Sequence, residues 1–397
     1  TAGSSWPGRR DWTGCALSGY GHGLKATWIP TPMTDKPEPL PQLAKVKTYV
    51  PGEAPKPGKG PSYKLASNEN PLGASPKARA LYAEMASKLE IYPDGGAHAL
   101  KAAIAKKNGL DASRIVVGAG SDEVFLMIAR AYLGPGDEAI STQHAFAIYA
   151  ILGQQQGATV IEVPEKNFTA DVDAILKAVT PKTKIVWLAN PNNPTGTYLA
   201  YDEVKRLHAA LPANVLLVLD GAYAEFVRKN DYASGIELAT QSENVMLTRT
   251  FSKLYGLAGL RVGWAYAPAH VIEAIERVRM PFNVNLVAQA VAIAALEDEA
   301  FTQESLAHND KELPRLVDGL KALGLEVIDG VGNFCVVKFA ETKGKTAADA
   351  LEYLKQRGVT VRSLAGYRMP HHLRISVGTV DGNDAVLAHL KTFMAGK

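Results

Sequence analysis

Two unbroken apolar runs constrain this chain more than any other feature. "TKIVWLANP" (183–191) and "NVLLVLDGAY" (214–223) are apolar for the length of a strand and then end in polar residues. A strand with one face in water alternates apolar and polar side chains. A continuous run suits a strand covered on both faces, as in a parallel sheet between two layers of helix. The flanking segments fit that plan. "RIVVGAG" is a short strand entering a glycine turn, and "SDEVFLMIARAYLG" is a helix with acidic residues in its first turn. "DEAIST" and "ATVIEVP" are strands around a helical stretch at 145–155, and "LAYDEVKRLHAALP" is the helix between the two apolar runs. Strands alternating with helices over roughly 200 residues predict a doubly wound α/β domain with a mostly parallel sheet. Such a domain binds its ligand beyond the carboxyl ends of the strands.

The rest of the chain divides around this domain. Residues 1–32 lack helical or strand periodicity and are expected to be a non-native or disordered leader, outside the fold. Residues 33–79 are expected to form an arm and part of a smaller domain, since 33–62 are rich in proline and lysine and read as extended chain. Residues 80–285 form the large domain. Beyond 285 one long helical segment runs to about "KALG", followed by strand-like "LEVI" and "FCVVKF" and the helix "TAADALEYLKQRG". "VTVRSL", "HLRISVG" and a last helix complete a smaller α+β domain, 286–397. A net charge of +3 over 397 residues is too small to suggest a nucleic-acid or membrane-surface binder. No apolar run is long enough for a membrane span. Cys15 and Cys335 are the only cysteines, too few for a disulfide framework or a Cys-based zinc site, and they fit the reducing cytoplasm. No metal site is expected.

Four groups of polar residues stand where such a sheet places its ligand. In "VVGAGSDE" (116–123) a strand, a glycine turn and a helix N-terminus offer backbone N–H groups to an anion, although an ordinary βα turn reads the same way. Glu123 stands where a dinucleotide fingerprint requires glycine, so that motif is excluded. "NPNNPTG" (190–196) puts Asn193 at a strand's carboxyl end, in what is either a tight turn or a ligand-facing one. Asp220 ends the second apolar run. It is either a cap or a carboxylate that needs a cation, with Tyr223 three residues on. In "TRTFSKLYGLAGLRVGW" (248–264), Lys253 is the single lysine, flanked by Ser252 and followed by Arg261. It is either a surface residue or a buried amine of lowered pKa that forms a Schiff base.

Jointly the four groups describe partners for a phosphate, a protonated ring nitrogen, a phenolic oxygen and an aldehyde. Pyridoxal phosphate carries all four. The motifs "LASNENPLG", "YPDGGAHAL", "NPNNPTG", "DGAYAEF", "TFSKLYGLAGLRVGW" and "HLRISVGT" resemble those of the fold-type I pyridoxal-phosphate aminotransferases. Within them the chain is similar to the histidinol-phosphate aminotransferase family, from about residue 40 to the C-terminus.

The resemblance implies a role for each matching residue. Lys253 is similar to the lysine that takes the cofactor's aldehyde as an imine and then shuttles the proton. Asp220 matches the carboxylate on the ring nitrogen, while Asn193 and Tyr223 match the partners of the phenolic oxygen. Ser121, Asp122 and Glu123 at the helix N-terminus, with Thr250, Ser252 and Arg261, match the phosphate cradle. Phe146 sits where relatives stack an aromatic ring on the cofactor, or is a core aromatic. Tyr92 resembles a tyrosine that reaches the cofactor phosphate of a partner subunit, which implies a homodimer with Tyr92 and the arm reaching the partner site. Arg374 matches the arginine that binds an α-carboxylate. Arg362 and Tyr49 match residues around the substrate phosphate, and Asn68 lines the site. The implied reaction is ping-pong: glutamate gives its amino group and leaves as 2-oxoglutarate, and imidazole-acetol phosphate becomes histidinol phosphate. Broad aromatic aminotransferases and a phosphothreonine decarboxylase share the cofactor residues. Arg368, His371 and His372 in "GYRMPHHL" either favour a phosphorylated substrate or are solvent-exposed loop residues. A ligand-sensing regulator would need a DNA-binding module, for which residues 1–62 are too short and irregular.

Overall fold

The computed structural model describes residues 36–49, 51–52 and 61–396. The expected leader, 1–32, and part of the expected arm lie outside the described residues. A seven-stranded sheet runs, in spatial order, Ile115–Gly118, Gly263–Tyr266, Val245–Thr250, Leu216–Asp220, Thr183–Ala189, Glu138–Thr142 and Thr159–Val163. All are parallel except Gly263–Tyr266, which pairs antiparallel with both neighbours.

The two apolar runs lie in the middle of this sheet, and their side chains divide between its faces. Val186, Leu188, Leu217 and Leu219 enter one core, while Ile185, Trp187, Leu216 and Val218 enter the other. Successive residues of a strand point to opposite faces, so a strand buried on both has no position left for a polar side chain until it ends. Asp220, Asn190 and Thr250 stand at or just past those ends.

A second sheet, ordered Tyr63–Leu65, Val359–Ser363, His372–Ser376, Phe334–Lys338 and Glu326–Ile328, is antiparallel but for its first pair. One face is closed by the helices Glu299–Ala322, Ala347–Lys355 and Val380–Met394 through Leu316, Leu320, Leu354, Val386 and Leu390. On His372–Ser376, Leu373 and Ile375 enter that core. The alternation therefore turns Arg374 and Ser376 to the other face.

The helical segment after residue 285 differs from expectation. It is two helices, Leu286–Glu297 and Glu299–Ala322, broken at Asp298 with φ −89° and ψ 69°. The first buries Ala288, Val291, Ala292 and Ala295 in a core of the large sheet. The expected boundary at 285/286 therefore cuts through a packed layer, because this helix is apolar enough to serve the large sheet. Among the described residues no helix is long and apolar enough to cross a membrane.

Candidate active site

The strand ends open into a cavity of about 250 Å³. Its floor is Asp220, the last residue of the central strand Leu216–Asp220. The carboxylate is buried and accepts from Tyr149 Oη at 2.5 Å, Ala222 N–H at 3.1 Å and Thr248 Oγ1 at 3.4 Å. Burial pushes its pKa above the ordinary carboxylate value, and the bonds from Tyr149 and Ala222 oppose that shift. A buried carboxylate with no cationic partner among the described residues is costly, and a cation in the cavity would relieve it.

Lys253 projects into the same cavity from the loop after Val245–Thr250. Its Nζ donates to the Ser67 carbonyl at 2.9 Å and lies 5.8 Å from the centre of the Tyr223 ring. Burial, with Arg374 as the next cause, lowers its pKa to about 8. Such an amine is neutral for part of the time at physiological pH, as a nucleophilic lysine must be.

Arg374 donates to Asn193 Oδ1, and to the Ala66 carbonyl at 2.8 Å. Its buried Nε has no hydrogen-bond partner. Asn68 is held in the left-handed region, φ +56°, by Ser376, whose hydroxyl accepts from Asn68 N–H at 2.9 Å and donates to its Oδ1 at 2.8 Å. Asn68 Nδ2 then donates to Tyr223 Oη at 2.9 Å. The second sheet thus positions Arg374 directly and Tyr223 through Asn68.

At the opposite end lies the N-terminus of the helix Ser121–Tyr132. Arg261, itself at φ +54°, reaches across it to Ser252 Oγ at 3.3 Å and Asp122 Oδ2 at 3.1 Å. Gly120, at φ +83°, is what lets the guanidinium approach. A Cβ there would come within 2.3 Å of Arg261 Nη2. Free N–H groups, hydroxyls and a guanidinium in one place make an anion cradle.

Of the residues expected from sequence, Tyr49, Asn68, Ser121, Asp122, Phe146, Asn193, Asp220, Tyr223, Thr250, Ser252, Lys253, Arg261, Arg362 and Arg374 line this one cavity. Glu123 does not. Its carboxylate turns back to Ala119 N–H at 2.5 Å and Asn283 Nδ2 at 2.8 Å, bracing the turn. Tyr92 is also outside the cavity, 78% exposed and packed 4.8 Å from the Phe282 ring. In the "GYRMPHHL" loop Arg368 pairs with Glu162 and His371 with Glu341, so neither faces the cavity. Tyr367 of that loop does face it, as do Ser67 and Glu69, and these three were missed. A tyrosine in a mixed loop carries no pattern that separates a wall of a site from core. Glu69 and Ser67 flank Asn68 and could have been read with it.

The sequence pattern of the family described as aminotransferase class I and II matches residues 61–390. The chain is similar to a histidinol-phosphate aminotransferase of Rhodopseudomonas palustris (strain TIE-1), 51% identical over 361 residues, which cover 90% of this chain and 99% of the relative. A histidinol-phosphate aminotransferase of Nitrobacter winogradskyi is 49% identical, over 91% of this chain and 99% of that one. Among solved structures, histidinol-phosphate aminotransferase from Sinorhizobium meliloti in complex with pyridoxal-5'-phosphate superposes with a TM-score of 0.79 at 27% identity, covering 84% of this chain and 91% of that one.

Proposed function

The chain belongs to the class I and II aminotransferases, and from that premise we propose that it moves the amino group of glutamate to imidazole-acetol phosphate, giving 2-oxoglutarate and histidinol phosphate, with pyridoxal 5'-phosphate as carrier. One observation carries the reading: Lys253, Asp220 and Arg261 share a single cavity with Arg374 and Arg362. The first three fit the cofactor and the last two fit anionic substrates.

The donor set matches the cofactor group by group. Asp220 is a buried carboxylate in want of a cation, and the Gly120 turn with Arg261 forms an anion cradle. Asn193 and Tyr223 offer hydrogen bonds to a phenolic oxygen between those ends. When bound, the cofactor supplies an aldehyde to carry nitrogen and a ring to accept the electrons of the substrate's Cα–H bond. The protein does the rest. Lys253 would hold the aldehyde until the substrate's amine takes its place, and its freed amine would then move the Cα proton as general base and return it as general acid. Asp220 keeps a proton on the ring nitrogen. Ser121, Asp122, Thr250, Ser252 and Arg261 would hold the phosphate, and Phe146 is the aromatic side chain available to the ring. Arg374 binds the glutamate carboxylate, while Arg362 and Tyr49 bind the phosphate of the second substrate. Fixing each group in place converts encounters between free reactants into steps within one complex.

The working unit in this reading is a homodimer in which Tyr92 reaches the partner's site, while Tyr49 of the arm lines the cavity of its own chain. It is supported by the exposed apolar side chains Leu89, Ile91, Tyr92, Met280 and Phe282, which would otherwise face water. The reading also places the enzyme in the cytoplasm, in keeping with two cysteines in 397 residues.

The test compares kcat/KM for histidinol phosphate and phenylalanine, each with 2-oxoglutarate, in the wild type and in Arg362→Ala. The wild type should favour histidinol phosphate by about a hundredfold or more, since a site built for a phosphate penalises a ligand lacking one. Arg362→Ala should raise KM for histidinol phosphate and leave that for glutamate. Comparable kcat/KM values would mean a broad aromatic aminotransferase, and equal effects on both KM values would remove Arg362 from the phosphate site.

A further inference from the structure

Asp220 is approached from behind the cavity by Tyr149, in the helix Ile148–Gln155. Tyr149 is fully buried and does not line the cavity. Its ring is fixed on three sides: stacked on Trp187 with centroids 5.1 Å apart and 3° between planes, and edge-on to Phe125 and Phe146. Its hydroxyl donates to Asp220 Oδ2 at 2.5 Å, the shortest of the three bonds that carboxylate receives. A hydroxyl in an aromatic box is costly unless it is bonded, so this placement serves the carboxylate.

We propose that Tyr149 is a positioning residue, whose hydroxyl keeps Asp220 ionised and turned toward the ring nitrogen of the bound cofactor. This rests on the assignment of Asp220 to that nitrogen. Burial and the nearby Asp122 favour the protonated acid, whereas the bonds from Tyr149, Ala222 and Thr248 favour the anion. The other titratable or cationic groups on the cavity wall are Tyr49, Glu69, Asp122, Tyr223, Lys253, Arg261, Arg362, Tyr367 and Arg374, whereas the hydrogen bonds that reach the Asp220 carboxylate come from Tyr149, Ala222 and Thr248. Without the phenol the balance tips toward the acid. A neutral Asp220 is no counter-charge for a protonated ring nitrogen, so that nitrogen gives up its proton.

The experiment measures equilibrium binding of pyridoxal phosphate, and of its analogue with C–H in place of the ring nitrogen, to wild type and Tyr149→Phe. The wild type should bind the natural cofactor more tightly than the analogue. Tyr149→Phe keeps the stacked ring and should lose about tenfold or more on the natural cofactor, the size of one hydrogen bond to a charged group, and nothing on the analogue. Equal losses on both would reduce Tyr149 to packing, and no loss on either would overturn the inference outright. A wild type that fails to distinguish the two ligands would instead sink the assignment of Asp220, a separate failure. If Tyr149→Phe does not fold, 3-fluorotyrosine at position 149 keeps the shape and donates a stronger bond. It should then tighten only the natural cofactor, and an unchanged preference would refute the proposal.

Discussion

Among the described residues Lys253 forms no salt bridge; its amine donates to the Ser67 carbonyl and lies over the face of Tyr223. Burial first and Arg374 second bring its pKa from the ordinary lysine value to about 8. The protonated amine cannot attack an aldehyde and the neutral one can. The rate at which cofactor-free protein takes up pyridoxal phosphate should therefore climb as pH rises through about 8 and level off above it. Stopped-flow absorbance measures this, and a rise continuing to about 10, where an unperturbed lysine titrates, would mean the amine is not desolvated. Lys253 was legible because it stands alone in an uncharged stretch, and Asp220 because it ends an apolar run. Tyr149 was not, since a tyrosine in an apolar helix is also what a core requires. Only the packing of that helix under the sheet brings its hydroxyl to Asp220. The direction of the Glu123 side chain was not legible for a related reason: a place at a helix N-terminus does not say which way a side chain turns.

The turn from the strand Ile115–Gly118 into the helix Ser121–Tyr132 depends on Gly120, for a conformation and for a clearance. Gly120→Ala meets both a positive φ, +83°, and Arg261 Nη2 at 2.3 Å. It should cost roughly 1–2 kcal/mol of stability, the scale of left-handed strain in a residue with a Cβ. It should also weaken cofactor retention by displacing the guanidinium. Gly136→Ala is the control, at φ +94° with nothing within 4 Å of its Cβ. It should lower Tm similarly and leave cofactor affinity alone. Equal affinities in the two variants would mean Arg261 does not hold the phosphate. The central strands of the large sheet were readable because a strand buried on both faces has a composition of its own, whereas the antiparallel strand Gly263–Tyr266, which follows a glycine-rich stretch, was not. The break at Asp298 was not, because the segments on either side are both helical and nothing but the change of partner core separates them.

The two sheets meet their helices through separate cores, yet the cavity draws residues from both. Arg374 and Arg362 come from the second sheet, Asp220 from the first, and Lys253 from the loop that follows the first sheet's strand Val245–Thr250. That convergence could be expected from the order of motifs along the chain but not measured from it, since the residues brought together are up to 308 positions apart. The division into domains was legible only coarsely, because helix Leu286–Glu297 joins the sheet that its place in the sequence does not suggest. A homodimer formed through Tyr92 and Phe282 makes a prediction of its own. Tyr92→Asp should shift the protein toward monomer in analytical ultracentrifugation and loosen the cofactor together with it. A dimer that persists with full affinity would place the interface elsewhere. Beneath all of this lies the claim that the cavity is built around one amine. It is tested by loading the protein with pyridoxal phosphate, reducing it with borohydride and mapping the peptides by mass. The cofactor should be fixed on the peptide that contains Lys253 and should be absent from Lys253→Ala. Attachment to any other lysine, or to none, would mean that the cavity does not hold the cofactor as described.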